Sequence, residues 1–567
     1  MLALDTETSG LDWAHSDRVH VIGALSSTGE EWWLFREDFP KILPVLDAHD
    51  IIVGHNIKFD AHMLKREGIE LPWNKTHDTL IMAALLCGDR KSKSLLSLSM
   101  DYLEYDGFED LAVADWLHSH RKKKGDIISV PPEVLHSYTM KQLANTLCLY
   151  VKFEEAALAQ RTYENERQLS RVLFEMEERG ALIDRRKLKV ADVAMLKKAH
   201  RLRKQMDTAG IPEFANLNSA MQMDYILKEM FGIRLPRTAK GKPSMRGEVL
   251  DTLPANAAVS LWREHRKLEK LHSTFVVNLE EMATAQNLVH TDYSNTTAWT
   301  GRLASSKPNL QNLPRDVEDK NDMANYIRGV FVSRPGFRTF SFDYKQLELT
   351  VAVGTARDKS GIKILDGGAD VHDETARALF TLGPKDKVTK EQRILAKNVN
   401  FGILYGAGID RISAIFQCTP DQAREFMSRY WRKFPGVRSY RGKLFQQIAE
   451  GSPIENAWGR QYQLDKKHSY KAINAISQGG AAEIVKHAMV TIEARLRGTG
   501  AAMLLQIHDE LVVEFPSDRI DLIPVVQEIL EHAADNVLPI RLRVTVAEWS
   551  PSWANEVKLD SLSPQTR

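Results

Sequence analysis

Three groups of residues in this chain have types and spacings that could do chemistry. Asp343 closes the apolar run TFSFDY, and Asp509 with Glu510 sits between LLQI and LVVEF, where a strand, a tight turn and a second strand are expected. Acids at strand ends are poorly placed for a core and well placed for an open cleft. Carboxylates there could hold Mg²⁺, which prefers hard oxygen ligands, and two such ions about 4 Å apart could drive a displacement at phosphorus. Taken alone, His508-Asp509-Glu510 fits a polar hairpin turn equally well. The second group is Arg393, Lys397, Phe401 and Tyr405, spaced by four in EQRILAKNVNFGILYGAG. Each step turns about 400°, so the four form one slowly drifting stripe on a helix. Cations at its start suit phosphates and aromatics further along suit a sugar and a base, although two surface cations above two core aromatics is the plainer alternative. In the third group, LALDTETSGL puts Asp5 and Glu7 on one side of a strand, and GHNIKFDAHML supplies Asp60 from a helix start. These acids could bind two metals and direct water at a phosphodiester, whereas a D-x-E pair by itself is more often a surface strand.

The elements that must position these groups follow from periodicity. Residues 1 to about 165 read as α/β, with apolar runs such as HVIGAL and IIVGH alternating with helical stretches such as DAHMLKREG and LIMAALLCG. From about 166 to 285, long charged segments of helical period are broken by LPRTAKGKPS. From about 290 onward, the strand-like runs TFSFDY and MLLQIHDELVVEF bracket another long helical block, the pattern of an α+β domain with a helical insertion. At 567 residues the chain is several times the size of a single core, so roughly three or four domains are expected. Only three cysteines occur, far apart, which argues against a disulfide framework and against a zinc site. No apolar run approaches the roughly 20 residues needed to span a bilayer, and the N-terminus lacks the features of a signal peptide, so a cytoplasmic location is expected. A net charge of +1 gives no reason to propose a nucleic-acid partner. Locally, however, basic residues outnumber acids between Lys385 and Lys443, and KKAHRLRK spans Lys197 to Lys204.

The wording around these groups resembles DNA polymerases of family A. FDYKQLELT is similar to that family's first palm motif, QIHDELVVE to its last, and the order R-x-x-x-K-x-x-x-F-G-x-x-Y-G to its fingers helix. The resemblance implies Asp343 and Asp509 as metal ligands with Glu510 assisting, and Mg²⁺ as the cofactor with Mn²⁺ able to substitute. It implies Glu348 as a steric gate against ribonucleotides. Gln346, His372, Arg393, Lys397, Phe401 and Tyr405 are implied around the incoming dNTP. TGRLASSKPNLQNLP is dense in hydroxyls and amides suited to phosphate and sugar contacts, and its match to a family motif gives Arg302, Asn309, Gln311 and Asn312 as contacts to primer-template DNA. Asn474, Gln478 and His508 join them near the template, and Lys240, Lys242 and Lys270 in a thumb-like region.

LALDTETSGL with GHNIKFD resembles the DEDD 3′→5′ exonuclease superfamily, which implies Asp5, Glu7 and Asp60 as metal ligands. That superfamily closes with a tyrosine and, four residues later, an aspartate; here Tyr138 is followed by Gln142. A neutral amide leaves one metal with less negative charge, so weakened proofreading is expected. The fold implied is an α/β, ribonuclease H-like exonuclease domain over 1–165, followed by an α+β right-hand polymerase. Its thumb spans 166–290, and its palm spans 291–567 with fingers inserted at about 357–455. Thr350 and Tyr470, where many members have arginine, point to the phage branch and hence to a host cytoplasm. The exonuclease motif begins at residue 5, so no 5′-nuclease module is expected. A monomer without membrane contact, with replication accessory proteins as possible partners, completes the expectation.

Overall fold

The computed structural model describes residues 1–88, 92–238, 240–250, 252–314 and 322–559. The N-terminal sheet runs β3-β2-β1-β4-β5, with β1 (Leu2–Thr8), β2 (Val19–Ser26) and β3 (Glu31–Phe35) antiparallel and β4 (Ile52–Gly54) and β5 (Thr76–Asp78) parallel to β1. Alternation along β1 divides its side chains. Leu2 and Leu4 enter a core with helix α1 (Ile57–Arg66). Ala3, on the face shared with Asp5 and Glu7, packs on Met140, Leu143 and Leu147 of helix α3 (Pro132–Leu158). Asp5 pairs with Gly23 of β2, where a Cβ would come within 2.8 Å of Thr139 Cγ2, so glycine lets α3 lie against the acidic end of β1. Helix α2 (Phe108–Ser119) packs on α3.

The C-terminal sheet is antiparallel throughout. Its order is β7-β8-β6-β9-β10, from β6 (Phe337–Tyr344), β7 (Ala502–Ile507), β8 (Glu510–Pro516), β9 (Val544–Trp549) and β10 (Glu556–Lys558). Phe340, Phe342 and Tyr344 of β6 face a core shared with Leu511, Val513 and Phe515 of β8 and with the long helix α10 (Ala472–Leu496). Asp343 points to the other side and is exposed.

Between the two sheets the chain is helical, as its periodicity predicts, and its helices pack on different neighbours. Helix α4 (Tyr163–Arg179), nearly all of it inside the expected 166–290 thumb region, buries Leu169, Val172, Leu173 and Met176 in the C-terminal core, while Phe174 enters the N-terminal one. Helices α5 (Arg185–Thr208) and α6 (Ala257–Leu271) pair with each other instead. The segment RKLEKLHSTFVV is helical as expected, with a wide π-type turn at His272–Val277.

At the junction α4 carries two carboxylates into buried contacts. Lys58 Nζ lies 2.5 Å from Glu177 Oε1, and His62 lies 2.7 Å from Glu177 and 2.5 Å from Glu178. Glu177 also accepts the Tyr293 N–H at 2.5 Å, and the Tyr293 hydroxyl accepts the Gln506 N–H at 2.9 Å and lies 3.2 Å from the Gln506 carbonyl. Among the described residues no helix is long and apolar enough to cross a membrane.

Candidate active site

Strand pairing brings the C-terminal carboxylates together. Asp343 stands opposite Glu510 in the β6/β8 register, and the Tyr344 N–H donates to the Asp509 carbonyl at 3.1 Å. Ile507 pairs with Glu510, so His508 and Asp509 form a two-residue turn in which His508 takes a positive φ of 57°, as such turns require. Asp343, Asp509 and Glu510 all line one cavity of about 710 Å³. Oxygen donors converging from two bonded strands fit a hard divalent cation.

Opposite them stands helix α9 (Lys390–Leu404), started by a capping box between Thr389 and Gln392. Arg393, Lys397 and Phe401 face the cavity as one stripe; Tyr405 is the residue that ends the helix. Arg393 is held by Asp370 at 2.5 Å and Asp373 at 3.3 Å. Gln346 also reaches Asp370, at 3.3 Å. His372 lies at the start of helix α8 (Val371–Phe380), which Asp370 caps. Its Nδ1 is 3.0 Å from Asn400 Nδ2, and burial lowers its pKa to about 4, so it meets a ligand as a neutral ring.

Glu348, near the start of helix α7 (Leu347–Thr355), is 4% exposed and is held from two sides. Arg302 Nη2 bonds Oε1, and the Tyr405 hydroxyl donates to Oε2 at 3.0 Å. Burial pushes the Glu348 carboxyl up, while Arg302 opposes the shift. Arg302 also lies 3.9 Å from Asp509, tying Glu348 to the carboxylate turn.

The remaining expected DNA contacts divide by exposure. Gln311 is buried and donates to Gln506 at 2.6 Å, and Asn309 caps the short turn in which Asn312 is exposed. Both therefore have structural partners of their own. Asn474 and Gln478 are half-buried on α10, with Gln478 beside the Tyr405 hydroxyl. Lys240 and Lys242 are exposed on the tight loop closed by the Arg237 and Pro243 pairing, and Lys270 is exposed near the end of α6. Sequence reasoning missed Asp370, Arg541 and Arg543, which line the same cavity. An available signal was the alternation in IRLRVTV, which sets both arginines on one side of an extended segment.

In the N-terminal domain, Thr6 donates to Asp60 Oδ1 through its N–H at 3.0 Å and through its hydroxyl at 2.6 Å. Burial raises the Asp5 pKa to about 6, and burial together with the Asp5 charge pushes Asp60 well up. Two desolvated, mutually repelling carboxylates fit a cation between them. Glu7 accepts the Thr139 hydroxyl at 2.5 Å. The Tyr138 phenol is pushed up by burial and by the charges of Glu7, Asp5 and Asp110. Gln142 is buried one turn further along α3 and donates to Asp110 Oδ2 at 2.8 Å, a partner that linear spacing could not supply.

With both sites laid out, comparison with known families is decisive. The model of DNA polymerase family A matches residues 185–555, and that of a 3′-5′ exonuclease matches residues 1–156. The chain belongs to DNA polymerase family A. It is 33% identical over 401 residues to the thermostable DNA polymerase I of Thermus aquaticus, covering 68% of this chain and 47% of that one. It is 31% identical over 561 residues to DNA polymerase I of Pseudomonas aeruginosa, covering 92% and 60%. The chain thus spans about half to three fifths of these curated relatives. A solved structure, the POL domain of Pol1 from M. smegmatis in complex with DNA primer-template and dNTP, superposes with a TM-score of 0.80 at 23% identity, covering 98% of this chain and 95% of that one. At that identity the likeness shows the family A polymerase fold. An N-terminal exonuclease domain followed by a C-terminal polymerase domain is as the sequence predicts.

Proposed function

We propose that this family A member is a template-directed, DNA-dependent DNA polymerase that adds dNTPs to a primer 3′ end by two-metal phosphoryl transfer. The observation that carries the reading is the convergence of Asp343 and Asp509 on one cavity with Arg393 and Lys397 across from them. Asp343 and Asp509 would hold Mg²⁺, or Mn²⁺ in its place, with Glu510 beside them. Held there, the metal would supply a lowered pKa at the primer hydroxyl and compensation for charge on the leaving pyrophosphate. Arg393 exchanges Asp370 for triphosphate oxygens, Lys397 adds a second cation, and neutral His372 donates a hydrogen bond. Phe401 faces the sugar, Tyr405 stacks near the nascent pair, and Glu348 fills the space a 2′-hydroxyl would need.

Arg302, Asn312, Asn474, Gln478 and the lysines of 166–290 would hold primer and template by backbone contacts. Residues 1–165 act as a weakened 3′→5′ exonuclease on this reading, and 291–567 as palm with fingers at about 357–455. The phage-branch affinity rests on Thr350 and Tyr470 alone, and the relatives described above are bacterial. A labelled primer-template incubated with and without dNTPs tests the proposal. Extension by the wild type and none by Asp509→Ala, with both retaining duplex in a gel shift, is expected. A wild type that only shortens the primer would replace it with a nuclease whose C-terminal half merely binds DNA.

A further inference from the structure

Gln142 sits where the exonuclease pattern calls for an acid, yet its surroundings are not neutral. Asp110, in the first turn of α2, takes the Gln142 amide at 2.8 Å and the Tyr105 hydroxyl at 2.9 Å, both on Oδ2. Among the described residues, Oδ1 accepts no hydrogen bond. Thr139 and Gln142 are three apart on α3 and so lie on one helix face. Through them, that single turn holds both Glu7, at 2.5 Å, and Asp110. An acid in a first helical turn is often only a favourable partner of the helix dipole, and Glu109 beside it fills that role; a carboxylate tethered to this amide needs a further explanation.

We propose that Asp110 supplies the fourth carboxylate of the exonuclease site from helix α2, with the Gln142 amide as the positioning group that holds it toward Asp5 and Glu7. The inference rests on the exonuclease reading of residues 1–165. The acid has moved to a neighbouring helix, and the residue at the old position has become its anchor.

The test uses the full chain carrying Asp343→Asn and Asp509→Asn, so that Mn²⁺ binding reports on the N-terminal domain. Mn²⁺ titration followed by electron paramagnetic resonance and degradation of single-stranded DNA are read for this parent and for further variants. Asp110→Asn keeps the shape and can still accept the Gln142 amide; it is expected to weaken Mn²⁺ affinity about tenfold or more and to slow degradation in step. Gln142→Met, which removes the anchor but not the acid, is expected to act in the same direction. Asp110→Asn with Gln142→Asp is expected to restore both readouts. Unchanged Mn²⁺ affinity and degradation in Asp110→Asn, or failure of the double variant to recover, would overturn the proposal and leave Asp110 a packing residue. If Asp5→Asn binds as much Mn²⁺ as the parent, the bound ion is not at these carboxylates, and the exonuclease reading fails and takes the role of Asp110 with it.

Discussion

Glu348 shows how much a single buried side chain can be made to do. With Arg302 on one oxygen and Tyr405 on the other, it can neither swing away nor be displaced by an added hydroxyl without breaking a charge-assisted bond. Glu348→Ala is expected to raise incorporation of rNTPs relative to dNTPs by roughly 10- to 200-fold, measured by competition on one template. Tyr405→Phe removes one of the two restraints and is expected to move the same ratio by about tenfold or less. A Tyr405→Phe enzyme as permissive as Glu348→Ala would mean that the ring, not the carboxylate, excludes the 2′-hydroxyl. Asp343→Asn and Asp509→Asn are expected to slow extension at least about a thousandfold while duplex affinity stays within a few-fold, because on the proposed reading each removes a metal ligand and not a backbone contact. At this scale the sequence was most legible where chemistry is local: Asp343, Asp509, Arg393 and Lys397 announce themselves by neighbours and spacing. Asp370 and Asp110 did not, because each matters through a residue distant in the chain, Arg393 for one and Gln142 for the other.

Among the elements, α9 depends on how it begins. The Thr389 side chain accepts the Gln392 N–H at 3.2 Å and Gln392 returns the contact at 3.0 Å, which fixes the first turn immediately before Arg393. Losing such a cap costs about 1 kcal/mol of local stability. Thr389→Ala is therefore expected to raise KM for dNTP by up to about fivefold with kcat nearly unchanged, and Thr389→Ser to restore it. A fall in kcat with KM untouched would show that the first turn does not position Arg393. The spacing by four made α9 readable and the apolar runs LLQI and LVVEF the β7–β8 hairpin, whereas α10, buried on nearly all sides, carries no single apolar stripe and was legible only through its resemblance. Periodicity could not show that α4 would leave the helices after it and join two cores, because an amphipathic stripe says that a face is buried and not against what.

Taken as one molecule, the protein is held across its middle by Glu177. A fully buried carboxylate with Lys58 and His62 on one side and the Tyr293 amide on the other is costly to break, since removing one partner leaves the rest buried without compensation. Glu177→Ala is expected to lower stability by about 3–5 kcal/mol, read by denaturant unfolding, whereas Glu175→Ala on the half-exposed side of the same helix should change it little. Equal effects of the two would remove the network from any account of stability. The same carboxylate bears on what can be cut away. A fragment begun at Tyr163 to obtain synthesis without degradation would keep α4 but discard Lys58 and His62, leaving Glu177 and Glu178 without these partners and Phe174 without its core. Such a fragment is expected to melt below the full chain and to associate through the uncovered face, so silencing the N-terminal site by point substitution is the safer way to isolate synthesis.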